Sequence, residues 1–404
     1  MSQKWLSIIG IGEDGLDGLT PAAKTLLDTA KILVGGERHL AMVPDDGRER
    51  RAWPSPIRTL IPEIEALRGQ RVCVLATGDP MHFGIGTTLL RGIPAAEVTI
   101  VPGRSAFTMA TARLGWTRHE TDCLTLHGRP LELLHAYLHP GAKLLVLTDD
   151  GAAPKAIAAL LTERGYGLSR LTVLERMDGA PEGRVDGTAE NWSTDRTDDF
   201  NTVAIDCIAG PDASHLTRTP GLPDDAFEHD GQLTKQEVRA ITLSALAPTP
   251  GTMLWDVGAG CGSIAIEWMR QHPRNSAVAI EHNADRLSLI AANANASALG
   301  APRMQIVSGK APDALADLEL PDAIFIGGGV TTEGLIEHCW GELKPGGRLV
   351  ANVVTTEGER VLSTWRENHG GDLRRISIER AEPVGRLTGW RPAMTVTQYI
   401  GRKS

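Results

Sequence analysis

The sequence is poor in features that mark several protein classes. Aromatic residues make up 4% of the 404 residues, too few for extended base-stacking platforms. Basic residues are not in excess. Against 50 Asp and Glu stand 41 Lys and Arg, and the net charge of −9 argues against a nucleic-acid partner. The five cysteines, Cys73, Cys123, Cys207, Cys261 and Cys339, are scattered and form no C-x-x-C pair. They read as reduced thiols rather than a disulfide framework or a zinc site, so no metal is expected. No apolar run is long enough to span a bilayer, and the N-terminus leads at once into the strand Trp5-Leu6-Ser7-Ile8-Ile9. A cytoplasmic protein with no membrane partner is expected.

What is present is an apolar fraction of 42%, enough for two or three domains with real cores. The most informative stretch is Asp256-Val257-Gly258-Ala259-Gly260-Cys261-Gly262. The apolar Met253-Leu254-Trp255 precedes it, and the helical pattern Ile264–Met269 follows. Glycines at such a strand-to-helix turn remove the Cβ atoms that would keep a nucleoside from the backbone. The next strand, Ala277–Ile280, ends in Glu281, an acid suited to accept from both ribose hydroxyls. The spacing is G-x-G-x-G rather than the dinucleotide G-x-G-x-x-G, and Asp256 would repel a pyrophosphate. It would suit a cation, such as the ammonium of an amino acid attached to adenosine. A nicotinamide dehydrogenase is disfavoured on both counts.

The first half predicts an α/β fold in two lobes, about 1–118 and 119–210. Strands are expected at Trp5–Ile9, Arg71–Ala76, Val98–Val101, Asp122–Leu126, Lys143–Leu147, Leu171–Glu175 and Thr202–Asp206. Thr20-Pro21 caps a helix whose apolar residues fall at Ala23, Leu26, Leu27, Ala30 and Leu33. Further helices are expected at Thr59–Arg68 and Ala153–Arg164, and Gly179–Asp199 reads as a hairpin or loop. Residues 211–231, rich in Pro, Gly and charge, read as a linker to a domain at 232–404. There Thr234 and Glu237 form a capping-box pattern. Helices are expected at Asp285–Ala298 and Glu357–Asn368, and strands at Met304–Val307, Pro321–Ile326 and Leu349–Val354. Arg374–Ile378 and Met394–Ile400 read as an antiparallel pair joined by a loop at Pro383–Arg391.

Two resemblances organise these motifs. Gly10-Ile11-Gly12, Thr20-Pro21, Thr77-Gly78-Asp79-Pro80, Pro102-Gly103-Arg104-Ser105-Ala106 and His127-Gly128-Arg129 occur in this order in the tetrapyrrole methylases, which residues 4–210 resemble. These are the class III S-adenosylmethionine-dependent methyltransferases. One departure is that Glu13-Asp14 stands where the family often has proline. The second half carries a loop similar to motif I of the class I methyltransferases, a Rossmann-like fold. With Gln232-Leu233-Thr234-Lys235, Arg239, Gly309-Lys310-Ala311-Pro312 and Ile326-Gly327-Gly328-Gly329, it resembles the decarboxylating precorrin methyltransferases.

The resemblances imply S-adenosylmethionine at two sites, one per domain. Its expected contacts are Thr234, Asp256, Gly258, Ala259, Gly260, Cys261, Gly262, Glu281, Lys310, Ala311 and Gly327 in the second half, and Gly78, Asp79 and Ser105 in the first. They imply methylation of precorrin-6B at carbons 5 and 15, with loss of the carbon 12 acetate as carbon dioxide, giving precorrin-8X in aerobic cobalamin synthesis. The class I half is associated with carbon 15 and decarboxylation. The partner is then a polycarboxylate tetrapyrrole, for which Arg104, Arg129, Arg239, Arg386 and Arg391 are candidate carboxylate ligands, with Arg38 and Arg380 behind them. His82 and His127 are candidate proton donors, and a homo-oligomer is expected. The alternative is that only the C-terminal half is active, on another substrate such as RNA, with the first half a docking or assembly module.

Overall fold

The computed structural model describes residues 4–54, 59, 61–213, 215–295 and 304–404. They form two compact units, residues 1–129 with 139–214, and residues 130–138 with 215–404.

The first unit holds two five-stranded sheets. In one, β1 (Leu6–Ile11), β2 (Ile32–Gly35), β3 (Glu49–Ala52), β4 (Val72–Thr77) and β5 (Val98–Val101) run parallel in the order β3-β2-β4-β1-β5. Apolar residues pack on both its faces, which is why β1 and β4 read as nearly continuous apolar runs. The helix Pro21–Thr29 starts as expected, with the Thr20 hydroxyl accepting from the Ala23 N–H at 3.2 Å. It does not run on to Leu33. Ala30 is already extended, and Leu33 pairs with Cys73 in a strand that the helical spacing concealed. The expected helix over Thr59–Arg68 is reduced to Ile61–Glu65.

In the other sheet the order is β6-β7-β10-β8-β9, from β6 (Asp122–Thr125), β7 (Lys143–Leu147), β8 (Arg170–Glu175), β9 (Gly183–Thr188) and β10 (Asn201–Asp206). β6 and β7 are parallel, and the other neighbours are antiparallel. The polar stretch after β8 thus supplies an edge strand, β9.

The second unit is built on seven strands in the order β13-β12-β11-β14-β15-β19-β16. They are β11 (Met253–Val257), β12 (Ser276–Glu281), β13 (Gln305–Ser308), β14 (Ala323–Ile326), β15 (Arg348–Val353), β16 (Asp372–Ile376) and β19 (Val396–Arg402). β11 to β15 are parallel, and β19 runs antiparallel to both neighbours. The chain switches direction of winding between β11 and β14, where open α/β sheets bind ligands. Period-two alternation sends Leu254, Phe325 and Val350 to one core and Trp255, Ile324 and Leu349 to the other.

Four expectations change here. The helix near Thr234 is Gln236–Leu246, with Lys235 at its N-cap and no side-chain cap, so the capping box is not formed. The Thr234 carbonyl instead accepts from the Arg239 guanidinium. The expected loop Pro383–Arg391 is mostly a hairpin, β17 (Glu379–Val384) with β18 (Leu387–Pro392), turning at Gly385 with φ 62°. Much of the expected linker packs on the second unit, burying Leu222 and Phe227 in its core. A helix at Leu335–Glu342, unforeseen after the glycine run, covers the opposite face. The helix expected over Asp285–Ala298 is Ala284–Asn295, its remainder lying outside the described residues.

Candidate functional site

At the switch point of the second unit lies a cavity of about 1310 Å³. That exceeds the roughly 300–1,000 Å³ of an ordinary small-molecule site and has room for two ligands side by side. The loop after β11 forms one wall. Gly258, Gly260 and Gly262 have φ of 71°, 59° and 81°, a region closed to most side chains. A Cβ on Gly258 would stand 2.8 Å from the Gly328 amide nitrogen, so residue 258 must be glycine for this loop to meet the one after β14. Gly258, Ala259, Gly260, Cys261, Thr234, Lys310, Ala311, Gly327 and Glu281 all line this cavity.

Glu281 is 3% exposed at the end of β12. Its Oε2 accepts from the Gly260 N–H at 3.0 Å, and Oε1 accepts from the N–H groups of His282 and Asn283 at 2.9 and 3.0 Å. These bonds occupy three of a carboxylate's roughly four acceptor positions. One acceptor position, on Oε2, remains open, fewer than the two that both hydroxyls of a ribose would take.

Asp256 requires a correction. It is 1% exposed, is not among the cavity-lining residues, and its Oδ2 accepts from the Ala265 N–H at 3.0 Å in the first turn of the helix Ser263–Gln271. The alternation that sends Trp255 and Val257 to one face sends Asp256 under this helix, away from any ligand. Burial pushes its carboxyl up to about 7. Gly262 also lies outside the lining residues, its φ serving the helix start.

Arg239 is likewise no substrate ligand. It is completely buried, paired to Glu267 at 2.5 Å, and donates to the carbonyls of Thr234 and Leu222. Glu267 in turn accepts from the N–H groups of Gly221 and Leu222 at 2.6 and 3.0 Å, fastening the incoming chain. Arg386 sits at the exposed hairpin turn and does not line the cavity. Arg391 and Arg380 do line it, paired to Glu382 at 2.9 Å and Glu237 at 2.7 Å. Lys235 and Lys310 are also there, and among the described residues neither forms an ion pair.

In the first unit the signature glycines pack against each other. Gly78 donates its N–H to Ile11, and its carbonyl accepts from the Gly103 N–H, both at 3.0 Å. A Cβ on Gly10 would overlap the Gly78 carbonyl and the Gly103 amide. Asp79 caps its own turn, accepting from the Met81 N–H at 2.9 Å, and Ser105 caps the helix Ala106–Leu114. Arg104 is held by Asp14 and Asp178, and Arg38 by Glu13. The departure at Glu13-Asp14 therefore anchors an ion-pair cluster that also takes in Arg176 and Arg113. Arg129 lies 5.6 Å from the Phe83 ring centroid. His127 is exposed and pairs with Asp149 at 2.9 Å. His82 stacks on Phe83 and lies tilted against Phe107, and burial lowers its pKa, which disfavours it as a proton donor.

Sequence reasoning gave Glu237 only a helix-capping role and overlooked Asn352, both at the cavity. The signal for Asn352 was a lone amide inside the apolar strand Leu349-Val350-Ala351-Asn352-Val353. Among the described residues no helix is long and apolar enough to cross a membrane, and no group of three or more His, Cys, Asp or Glu is placed to hold a metal.

Comparison with known proteins follows the division of the chain. Residues 6–189 match the family of Tetrapyrrole (Corrin/Porphyrin) Methylases, and residues 225–403 match the Precorrin methyltransferase domain. A precorrin-6Y C(5,15)-methyltransferase (decarboxylating) from Sinorhizobium sp is 48% identical over 400 residues, 99% of this chain and 96% of its own. A cobalt-precorrin-7 C(5)-methyltransferase from Salmonella typhimurium is 35% identical over 43% of this chain and 85% of its own. A probable cobalt-precorrin-6B C(15)-methyltransferase (decarboxylating) from Pyrobaculum calidifontis is 35% identical over 45% of this chain and 96% of its own.

Proposed function

The chain belongs to the decarboxylating precorrin-6Y C(5,15)-methyltransferases, and from that premise we propose that its two methyl transfers are divided between two sites. It is an S-adenosylmethionine-dependent C-methyltransferase of cobalamin synthesis, a tetrapyrrole methylase joined to a class I methyltransferase, and its substrate is a tetrapyrrole. In our reading the first domain ends near 210, and the second takes in the segment before 232 that packs on its core. The class I half methylates carbon 15 and removes the carbon 12 acetate of precorrin-6B, and the first half methylates carbon 5, giving precorrin-8X. The existence of relatives named for each activity alone, each spanning less than half of this chain, supports that division.

The observation that carries the C-terminal assignment is the open cradle of Gly258 and Gly260 beside Glu281 in a cavity larger than one ligand needs. The residues fit the cofactor: Glu281 Oε2 has an acceptor position for ribose, and the Lys310-Ala311 loop flanks it. When bound, the cofactor supplies an electrophilic methyl group on a sulfonium. The protein's part is alignment, since a reduced tetrapyrrole brings its own nucleophilic carbon. Arg391, Arg380, Lys235 and Lys310 supply positive charge for the substrate carboxylates, the two arginines by exchanging Glu382 and Glu237. Apolar lining from Ile376, Ile378 and Val396 keeps water from the acetate, favouring its loss.

The N-terminal cofactor site, with Gly78, Asp79 and Ser105, is proposed on the family match alone. We also propose a cytoplasmic homo-oligomer that binds no nucleic acid. The exposed hairpin residues Val384, Leu387 and Trp390 support the oligomer. Incubation with precorrin-6B and labelled S-adenosylmethionine, read by mass spectrometry, tests the whole. Gain of two methyls with loss of carbon dioxide is expected. Gain of one methyl would confine activity to one half, and if that methyl is at carbon 15 it would leave residues 1–210 as a docking module.

A further inference from the structure

Three strands of the second unit place polar side chains in one row. Asn352 on β15 lies opposite Gln398 on β19, and Gln398 lies opposite Arg374 on β16. Directly opposed residues share a face, so the row points to one side of the sheet. On that side the helix Gln236–Leu246 brings down Thr242, which is completely buried, as is Gln398. Asn352 is half-buried and Arg374 exposed, but the buried Gln398 and Thr242 between them are costly unless their hydrogen bonds are made.

They are made in one sense only. Arg374 has donors and no acceptor, and it gives Nε and Nη2 to Gln398 Oε1 at 2.9 and 2.5 Å. The Gln398 amide nitrogen must then face the other way. It donates to Asn352 Oδ1 at 2.7 Å and to Thr242 Oγ1 at 3.1 Å. Thr242 spends its own hydrogen on the Val238 carbonyl at 2.7 Å and accepts from Asn352 Nδ2 at 2.9 Å. Every capacity of Gln398 and Thr242 is used. The row ends at Asn352 with one amide hydrogen left over, on a residue that lines the cavity.

We infer that Asn352 is a substrate-orienting residue, its remaining amide N–H holding a carboxylate of the tetrapyrrole. This rests on the class I assignment above. Charge and position favour substrate over cofactor. Glu281 and the Lys310-Ala311 loop sit at β12 and β13, whereas Asn352 lies beyond β14. Three strand spacings separate β12 from β15, roughly 14 Å across the sheet. Around Asn352 the cavity wall is Val354 and Val396, apolar side chains that offer a carboxylate no competing donor. Arg374 contributes from a distance: it cannot accept a hydrogen bond, so it prevents the amide of Asn352 from turning over.

The test uses the full chain, with precorrin-6B and S-adenosylmethionine. Asn352→Asp keeps the shape and the acceptor toward Gln398 but sets a negative charge against the carboxylate. KM for the tetrapyrrole should rise about tenfold or more in the carbon 15 methylation and decarboxylation, as for a lost hydrogen bond to a charged group. The dissociation constant for S-adenosylmethionine, by calorimetry, should stay within about twofold. Asn352→Ala should raise KM in the same direction and serves if the Asp variant does not fold. Gln398→Leu, which frees the amide of Asn352 to turn, should raise KM less than Asn352→Asp. A folded variant with unchanged KM overturns the inference. So does a loss of cofactor affinity that matches the loss of substrate affinity, which would give the donor to the cofactor. An unreactive wild-type enzyme would instead remove the class I assignment, and this inference with it.

Discussion

Both halves of the chain put glycines at the ends of parallel strands, and they use them differently. After β11 the glycines stand at positive φ beside an open cavity, and a carboxylate, Glu281, is tied to the loop by the Gly260 amide. In the first unit, Gly10, Gly78 and Gly103 occupy each other's Cβ space, backbone on backbone. The same residue type thus lines an open cavity in one place, where only Gly258 also meets facing backbone closely, and closes a backbone-to-backbone junction in the other. The ion pairs differ in parallel. The second unit buries one pair, Arg239–Glu267, almost without exposure, while the first spreads Glu13, Asp14 and Asp178 over partly exposed arginines.

The largest effect should come from the buried pair. Glu267→Gln removes the buried partner of Arg239 and leaves it the partly exposed Asp224 at 3.2 Å, and it should cost about 3 kcal/mol in urea unfolding of the second unit. The loss of less than 1 kcal/mol would mean that the incoming segment at 221–222 is held by packing alone.

The glycine contrast is sharpened by paired substitutions. Gly258→Val should lower carbon 15 methylation about 100-fold and leave carbon 5 methylation intact, as expected for misplacing a reactant by an ångström. Gly78→Val should do the reverse, because its Cβ would stand 2.8 Å from the Arg104 carbonyl and distort the first-unit loop. If both variants lose both methylations, the two sites are not independent.

Asp256 supplies a pH signature. Its carboxyl is raised by burial from an unfolded value near 3.8 to about 7. Between these values the folded state binds the extra proton, so stability falls as pH rises, by at most about 1.4 kcal/mol per unit. Asp256→Asn keeps an acceptor for Ala265 and should remove this slope, with a Tm gain at pH 8 that is absent at pH 4. Equal Tm shifts at both pH values would contradict a buried neutral carboxyl.

The smallest effect belongs to the first unit. Glu13→Gln weakens its ties to Arg38 and Arg176, and it should cost about 1–2 kcal/mol, reduced at high salt. A cost as large as that of Glu267→Gln would erase the contrast between buried and spread ion pairs.

Much of the fold was legible because local signals carried it. Thr20-Pro21 opens a helix, the motif after β11 turns a strand into a helix, and apolar runs mark the buried strands. The failures share one cause. Leu33 fits a helical stripe yet lies in β2, and Pro383–Arg391 reads as a loop yet pairs as a hairpin, because strand pairing depends on a distant partner. The same holds for the site. Gly258, Glu281 and Lys310 were readable as a motif, whereas Arg239 looked like a free cation until Glu267, 28 residues further on, took it.

The amino-acid sequence by itself determined most of the buried strands, the two glycine motifs and the acid at the end of β12, since each is written in neighbouring residues. Tertiary structure decided which polar groups face a ligand. Asp256 was turned inward by the alternation of β11 and the helix above it. Asn352 was aimed by partners drawn from two other strands and a helix, which no local pattern joins.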